Sequence, residues 1–304
     1  MVRMNYESAK LILKNGGRQE NSSGTYSIVG RIIIPDLSNE RTDCAKRLLL
    51  NRINEHTSKM YSYEFKGDEP LSAINFIEEI IKKYIPGKKY TIFTSAPINY
   101  WWKGENEEWR LFDSIIVRRF AVIDLENDKL LGTSAITEKD YKNMTHELKE
   151  KITFLLDLKK SNIRTEKEFE EYVKWVRELG IKEIIVCEND DDIFEYNQKM
   201  AQEMKRRQLW QVEQLKSIGD GTNKPLLRGT RQNLNMPLSI IAPQILLKAG
   251  MHLQIIKSML EGENLYKLTT LKNKDFQVVF RRKVVKGRSL IWESSRSHKY
   301  VCEI

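Results

Sequence analysis

The hydrophobic pattern predicts short buried strands that alternate with amphipathic helices over the first 190 residues. Apolar runs bounded by polar loops predict strands at residues 27–34, 61–65, 90–94, 114–123, 152–158 and 184–187. Apolar residues at helical spacing predict helices at residues 45–54, 73–84, 138–149 and 165–179. Because this alternation is typical of βαβ units, we expect a parallel sheet with helices packed against it.

The helix at residues 165–179 has the clearest boundary signals. Thr165 is a good N-cap residue, and Glu168 stands three residues later, where it completes a capping box. Gly180 follows the last apolar position and is typical of a helix C-terminus. These three residues predict both ends of the helix.

The pattern changes after residue 190. Residues 191–260 have a helical and loop-rich composition, and residues 265–270, 276–285 and 289–292 predict a hairpin-like β region. We therefore expect a lead-in over residues 1–26, a barrel over 27–190, and a helical and β extension over 191–304. Trp101, Trp102 and Trp109 fall in a segment with helical composition, and we expect them to pack in the core or at an interface.

Composition indicates a soluble globular protein. The 304 residues are 40% hydrophobic and 31% charged. No apolar run reaches the roughly 18 to 20 residues that a membrane span needs, and the N-terminus lacks an apolar signal segment. We expect a cytoplasmic protein without a membrane partner. Cys44, Cys187 and Cys302 lie far apart, which argues against a disulfide framework or a zinc site.

The chain is basic, with a formal net charge of +9 and a pI near 9.2. Basic residues exceed acidic ones between residues 199 and 231, and this excess keeps nucleic acid open as a partner. Solvated lysines are the simpler interpretation. The candidate phosphate contacts are Lys205, Arg206, Arg207, Arg228 and Arg231.

One loop contains candidate functional residues. The predicted strand at residues 61–65 runs into Gly67, Asp68, Glu69 and Pro70, and a predicted helix follows. This unit resembles the second β/α unit of radical S-adenosylmethionine (SAM) enzymes, in which a Gly-Gly-Glu-Pro loop holds the amino end of SAM. Residues 90–95, 111–119, 156–165 and 180–188 resemble the following units of that family in order. The resemblance implies an α/β fold, a partial (β/α)6 TIM-like barrel with a C-terminal α+β extension.

The resemblance also implies where a cofactor would bind. In such barrels the site lies at the C-terminal ends of the strands. The loop carbonyls would accept hydrogen bonds from the SAM ammonium group, and Arg119 would pair with a carboxylate. The cofactor-binding residues implied in this way are Gly67, Asp68, Glu69, Pro70, Ser95, Arg119 and Glu188.

The sequence departs from the family where the cluster should bind. Radical SAM enzymes hold a [4Fe–4S] cluster with three cysteines spaced C-x3-C-x2-C, leaving one iron free for SAM. Here the corresponding stretch contains only Cys44, and Glu40 and Arg47 stand in the outer positions. A guanidinium cannot ligate iron, and a carboxylate is a poor substitute for a thiolate. In addition, Asp68 replaces the second glycine of the loop and Arg118 replaces a serine common in the fourth strand.

These departures predict a degenerate radical SAM-like protein that is non-catalytic and has no [4Fe–4S] cluster. It would act as a scaffold or bind a protein partner, such as an active homologue or a larger assembly. Two alternatives stay open. One is a SAM-binding enzyme with atypical or no cluster ligation, and the other is a basic nucleic-acid-binding protein.

Overall fold

The computed structural model describes residues 20–21, 24–35, 42–56, 60–100, 108–219, 236–261, 264–283 and 297–303. The strands in these ranges are β1 (Glu20–Asn21), β2 (Gly24–Ile33), β3 (Ser62–Lys66), β4 (Lys89–Thr94), β5 (Ser114–Arg118), β6 (Ile152–Asp157), β7 (Glu183–Cys187), β8 (His252–Glu261), β9 (Asn264–Lys272), β10 (Gln277–Lys283) and β11 (Ser297–Glu303). The α-helices are α1 (Thr42–His56), α2 (Ile74–Lys83), α3 (Asp124–Leu131), α4 (Glu138–Asn143), α5 (His146–Lys151), α6 (Glu166–Glu178), α7 (Asp190–Gly219) and α8 (Leu238–Lys248).

Strands β2 to β7 form the parallel part of the sheet. Each of them pairs with the next one along the chain, and all five pairings are parallel. Helices separate most of these strands, as the alternating pattern predicts. The later helices and strands follow this unit. The structure therefore confirms the predicted fold class, a partial (β/α)6 TIM-like barrel with a C-terminal α+β extension.

The C-terminal strands extend the same sheet. Strand β10 pairs in parallel with β7, and β9 and β8 continue the sheet in antiparallel order. Strand β11 then pairs in parallel with both β8 and β2, while β2 also pairs with β3. These strands therefore form a continuous ring of pairings that returns to β2, in the order β2-β11-β8-β9-β10-β7-β6-β5-β4-β3.

Successive side chains along each strand point to opposite faces of this ring. On β3, Tyr63 and Phe65 are buried against the outer layer, where Phe65 makes an edge-on contact with Phe112 at a centroid distance of 6.2 Å. Glu64 and Lys66 project from the opposite face, which is the interior of the ring. The helices therefore cover an apolar outer face, and the interior carries charged side chains.

Several element predictions hold and others are wrong. The capping box of Thr165 with Glu168 is present, and Gly180 follows α6 with a φ of +80°. The strand predicted at residues 114–123 ends at Arg118, because the chain turns and the Phe120 N–H donates to the side chain of Asn127. The helix predicted at residues 138–149 is divided into α4 and α5, and an extended Met144 separates them.

The largest correction concerns the C-terminal part of the chain. Residues 252–260 fall in a stretch predicted to be helical and loop-rich, yet they belong to β8, which pairs with β9 over its whole length. Strand β11 was not predicted. The strand predicted at residues 289–292 lies outside the described residues, as do Trp101 and Trp102. Among the described residues, none of the helices combines the length and the apolar character that a membrane span needs.

Candidate functional site

The loop after β3 depends on glycine for a steric reason. Gly67 has a φ of +155°, and a Cβ atom at this position would lie 2.7 Å from the carbonyl oxygen of Ile34. This contact is too short for any side chain, so only glycine allows the two segments to approach so closely. Pro70 then begins a short 3-10 helix over Pro70–Ala73. The predicted loop therefore lies at the C-terminal edge of the parallel strands.

Glu69 and Ser95, both predicted cofactor contacts, bind each other. The Glu69 carboxylate accepts hydrogen bonds from the Ser95 backbone N–H at 2.8 Å and from the Ser95 hydroxyl at 2.5 Å. It also accepts from the Thr94 hydroxyl at 2.5 Å and from the Leu71 N–H at 3.2 Å. The carboxylate thus joins the loop after β3 to the end of β4. A role for either residue toward a cofactor stays a prediction.

Arg118, at the end of β5, contacts the same loop. Its guanidinium Nη2 donates to the carbonyl oxygen of Gly67 at 3.4 Å and to the carbonyl oxygen of Asp68. The resemblance assigns these loop carbonyls to the ammonium group of SAM. The side chain of Asp68 is exposed. The sequence marks Arg118 only as a departure from the family pattern, and the contact across the sheet appears only in the structure.

Arg119 faces the other way from Arg118. It is fully buried, and its Nη2 donates to the Val122 carbonyl at 2.8 Å and to Asp124 Oδ1 at 2.6 Å. The guanidinium also lies 5.1 Å from the ring centroid of Trp175 on α6. These contacts with Val122, Asp124 and Trp175 place Arg119 in the helix layer rather than in the ring interior. The predicted pairing with a cofactor carboxylate stays untested.

Glu188, which follows β7, is buried and has a partner. Arg282 binds it in a bidentate ion pair, with Nε–Oε2 and Nη2–Oε1 distances of 2.5 and 2.7 Å. Burial raises the pKa of Glu188 above its ordinary value, and the Arg282 guanidinium opposes this shift only in part. Arg282 also donates to the Ser239 carbonyl at 3.3 Å, so this pair joins the sheet to α8.

The two cysteines with described side chains, Cys44 and Cys187, lie on different elements. Cys44 is exposed in the first turn of α1, and no other cysteine occurs in the stretch that joins β2 to this helix. Cys187 lies on β7, where burial raises the pKa of its thiol to about 11. Among the residues that the structure describes, no group of three or more His, Cys, Asp or Glu side chains is placed to hold a metal ion. A cluster of this kind needs three thiolates close together, and Cys44 and Cys187, the cysteines whose side chains the structure describes, do not form such a set.

A cavity of about 330 Å³ opens at the C-terminal ends of β6 and β7 and beside β10. Its walls are strongly charged and include one thiol. The lining residues are Asp157, Lys159, Cys187, Glu188, Asn189, Asp190, Asp191, Tyr266, Arg281 and Lys283. Among them, the sequence predicts only Glu188 as a site residue. The others are brought together by strands and loops that are distant in sequence.

The predicted nucleic-acid contacts are only partly described. Lys205, Arg206 and Arg207 lie exposed on α7. Arg206 and Arg207 both bind Glu203, at 3.0 and 3.1 Å, so part of their charge is neutralised within the helix. Arg228 and Arg231 lie outside the described residues.

Comparison with known proteins gives a likeness in fold alone. No protein-family model and no curated protein matches the chain. Among solved structures it is similar to Streptococcus suis SuiB bound to S-adenosylmethionine, with 14% identity, a TM-score of 0.37, and coverage of 68% of this chain and 52% of that one. A second SuiB structure has 14% identity and a TM-score of 0.38, with coverage of 66% of this chain and 50% of that one. SuiB bound to the precursor peptide SuiA has 14% identity and a TM-score of 0.38, with coverage of 68% and 53%.

The chain therefore spans about half the length of the SuiB chains it resembles. The strand order of the chain describes its fold more directly than these likenesses do. Six consecutive parallel strands, with the Gly67–Pro70 loop after the second of them, form a partial (β/α)6 TIM-like barrel.

Proposed function

We propose that this protein is a non-catalytic, radical SAM-like scaffold that carries no [4Fe–4S] cluster and binds a protein partner. The contact of Arg118 with the carbonyls of Gly67 and Asp68 is the observation that carries this proposal. A guanidinium is always charged and offers only donors. It therefore binds the same carbonyl oxygens and places a positive charge where an incoming ammonium group would lie.

The energetics oppose displacement of Arg118. A hydrogen bond to a charged group contributes about 1.5–3 kcal/mol, and a ligand ammonium would have to replace such bonds. The displaced guanidinium would also need new partners. Its Nε is already buried without a hydrogen-bond partner among the described residues. SAM binding at these carbonyls is therefore disfavoured.

The residues at the expected positions of the cluster ligands support the absence of a cluster independently of Arg118. Cys44 is exposed on α1, and Arg47, which stands in the position of an outer ligand, is exposed on the same helix. An arginine cannot supply the missing thiolate. Because the site would lack the soft ligands that iron–sulfur clusters require, we expect no radical chemistry from this chain.

Exposed apolar residues support a protein partner. The segment after β4 and the segment around α3 lie together, because Ile98 N–H donates to the Ser134 carbonyl at 3.0 Å and Pro97 forms an isolated bridge with Ala135. Both segments carry exposed large apolar side chains, and we infer that these segments contribute to an interaction surface. The side chains are Ile98, Tyr100, Ile123, Leu125 and Leu130.

The cofactor part of the proposal is tested by two measurements. Iron and sulfide are quantified after anaerobic reconstitution, and SAM is titrated calorimetrically into the wild type, Arg118→Ser and the control Arg47→Ser. We expect no stoichiometric cluster, no SAM binding by the wild type or Arg47→Ser, and a gain of binding in Arg118→Ser. A stoichiometric cluster with SAM cleavage would overturn the proposal, and SAM binding by the wild type that Glu69→Gln abolishes would favour the SAM-dependent enzyme instead.

The partner part is tested by affinity capture from the source cell with chemical crosslinking. Leu125 and Leu48 are both exposed helical leucines, but only Leu125 belongs to the apolar segments described above. We expect Leu125→Asp to lose a partner that Leu48→Asp retains. Equal capture by both variants would contradict the assignment of this surface.

A further inference from the structure

A row of mainly aliphatic side chains crosses the ring interior at the middle of five neighbouring strands. Its members are direct register partners on β6, β7, β10, β9 and β8, and directly paired residues project to the same face of a sheet. This interior row consists of Leu155, Ile185, Val279, Thr270 and Ile255. The ring interior therefore carries an apolar row as well as charged side chains.

The interior row is accessible to solvent, unlike the opposite face of the same strands. Its neighbours along β6, β7 and β10 face the helices and are at most 2% exposed: Phe154, Leu156, Ile184, Val186, Val278 and Phe280. By contrast, the row members on β6, β7, β10 and β9 are half-buried, and Ile255 on β8 is 39% exposed. The ring has ten strands, more than the eight whose side chains just fill a barrel. An accessible apolar row is therefore expected to have room for a ligand.

Access to the row increases toward the N-terminal ends of the parallel strands, here called the foot of the ring. Along β8 the interior-facing residues change from Met259, which is 5% exposed, through half-buried Lys257 to Ile255 and the exposed His252. Strand β11 pairs with β8 only over residues 258–261, and no other described strand pairs with this edge of β8 closer to the foot. The interior therefore opens beside Ile255, at the end of the ring opposite the Gly67–Pro70 loop.

A β-bulge in β8 determines which side chain reaches this opening. Leu253 pairs with Leu271 and Ile255 pairs with Thr270, so Gln254 has no partner in the ladder with β9. Because a shift of one residue reverses the faces of a strand, Leu253 and Ile255 project to opposite faces. Leu271 is buried on the outer face, whereas Thr270 belongs to the interior row. The two exposed aliphatic side chains of β8 are therefore a matched pair, of which only Ile255 faces the interior.

Two lysines flank Ile255 on the interior face. Lys257 lies two residues further along β8, and Lys272 lies two residues beyond the row on β9. Within the described part of the chain, neither lysine has an ion pair or a hydrogen bond through its side chain. The interior-facing residues nearest the foot on the five strands are Thr153, Glu183, Gln277, Lys272 and His252. Their single carboxylate, Glu183, is two strands away from Lys272 and accepts from the Thr153 hydroxyl at 3.1 Å, so the opening favours a negative charge.

We propose that the ring interior binds an aliphatic carboxylate, with its carboxylate at Lys257 and Lys272 and its alkyl chain along the interior row. Neighbouring strands lie about 4.8 Å apart, so the five strands of the row span roughly 19 Å and can cover a long alkyl chain. Such a ligand supplies the charge that the two lysines lack and removes the accessible aliphatic side chains from water. The inference is independent of the proposed function, since it uses neither the Gly67–Pro70 loop nor the exposed segments near α3.

The test is a calorimetric titration with hexanoate, octanoate and decanoate. We expect one site per chain and an affinity that rises about fourfold for each added CH2 group, the factor that corresponds to its burial. Decyltrimethylammonium has an alkyl chain of the same length as decanol but a positive head, and it should bind about 10-fold or more weakly than decanoate.

Ile255→Asp should weaken decanoate binding by about 10- to 100-fold, because the new carboxylate lies on the path of the ligand. Leu253→Asp is the matched control, since it introduces the same charge at an exposed position of the same strand on the opposite face. Its affinity should equal that of the wild type. The double variant Lys257→Gln with Lys272→Gln should bind octanoate about 10-fold more weakly, while its affinity for neutral 1-octanol is unchanged.

Thermal unfolding identifies variants that fail to fold, and the double lysine variant replaces Ile255→Asp if the latter does. The proposal is overturned if no carboxylate of the series binds saturably, if affinity is independent of chain length, or if decyltrimethylammonium binds as tightly as decanoate. Equal losses in Ile255→Asp and Leu253→Asp would also overturn it. Failure here is distinct from failure of the proposed function: a protein that binds decanoate and cleaves SAM overturns only the non-catalytic proposal.

Discussion

Arg31 and Glu64 form a buried ion pair inside the ring, with a distance of 2.7 Å between Nη2 and Oε2. The two residues are register partners on β2 and β3, and their side chains are 3% and 6% exposed. Arg31 also binds Glu261 on β8, and Glu261 binds Arg281 on β10. These ion pairs therefore connect the N-terminal and C-terminal strands of the ring.

Glu64→Gln should lower the free energy of unfolding by about 1.5–3 kcal/mol, because the buried Arg31 loses one of its two charged partners while Glu261 remains. Glu78→Gln is the matched control, since Glu78 pairs with Lys82 on the exposed face of α2 and such pairs contribute only about 0.3–0.5 kcal/mol. Denaturant unfolding of both variants measures the difference. Equal losses would show that the interior ion pair is not important for stability.

Glu69→Gln should lower the free energy of unfolding by about 1.5–3 kcal/mol even without any ligand. The amide loses the negative charge and turns an NH2 group toward donors from Leu71, Thr94 and Ser95. Glu55→Gln, on the exposed face of α1, should have little effect on the thermal midpoint. A Glu69→Gln protein of unchanged stability that has lost a measurable affinity for SAM would instead make Glu69 a ligand contact.

Arg119→Lys should be destabilising by about 1–3 kcal/mol although the charge is kept, because an ammonium group cannot reproduce the planar fork of donors. That fork serves the Val122 carbonyl and Asp124 in a fully buried position. Arg52→Lys changes an exposed arginine on α1 and should be neutral. Urea unfolding compares the two variants, and similar midpoints would refute the structural role of Arg119.

Cys187 should react slowly with iodoacetamide at pH 8. Burial raises the pKa of its thiol to about 11, and only the thiolate is nucleophilic. Below this pKa the thiolate fraction rises about tenfold for each pH unit. The alkylation rate of Cys187 should therefore rise by the same factor between pH 8 and 9.5. Variants that retain a single cysteine separate the sites, and exposed Cys44 should react faster. A Cys187 rate that equals the Cys44 rate at pH 8 would contradict the buried environment.

Much of the N-terminal fold could be predicted because its signals are local. Apolar runs, the Thr165–Glu168 capping box and Gly180 all act within one element, and each appears in the structure. Strands β8 and β11 could not be predicted in this way. Their pairing with β9 and β2 depends on segments distant in sequence, and their own apolar pattern is weak.

The same division holds for the site. The Gly67–Pro70 loop and the missing cysteines are visible as residue types at fixed spacing, and they suggested ancestry and the loss of the cluster. The sequence could not show which partner each charged group takes. Arg118 and Arg119 are adjacent and chemically identical, yet one reaches the loop carbonyls and the other lies in the helix layer.

The sequence by itself determined the alternation of strands and helices and the absence of the C-x3-C-x2-C spacing. Only the tertiary structure decided that the strands close into a ring, that Arg118 occupies the loop carbonyls, and that Asp157, Cys187 and Arg281 share one cavity wall. The physical reason is the separation in sequence between the residues that interact. Helical periodicity, caps and metal-ligand spacing involve residues a few positions apart, whereas strand pairing and ion pairs join residues separated by tens to hundreds of positions, and both depend on the packing of the whole chain.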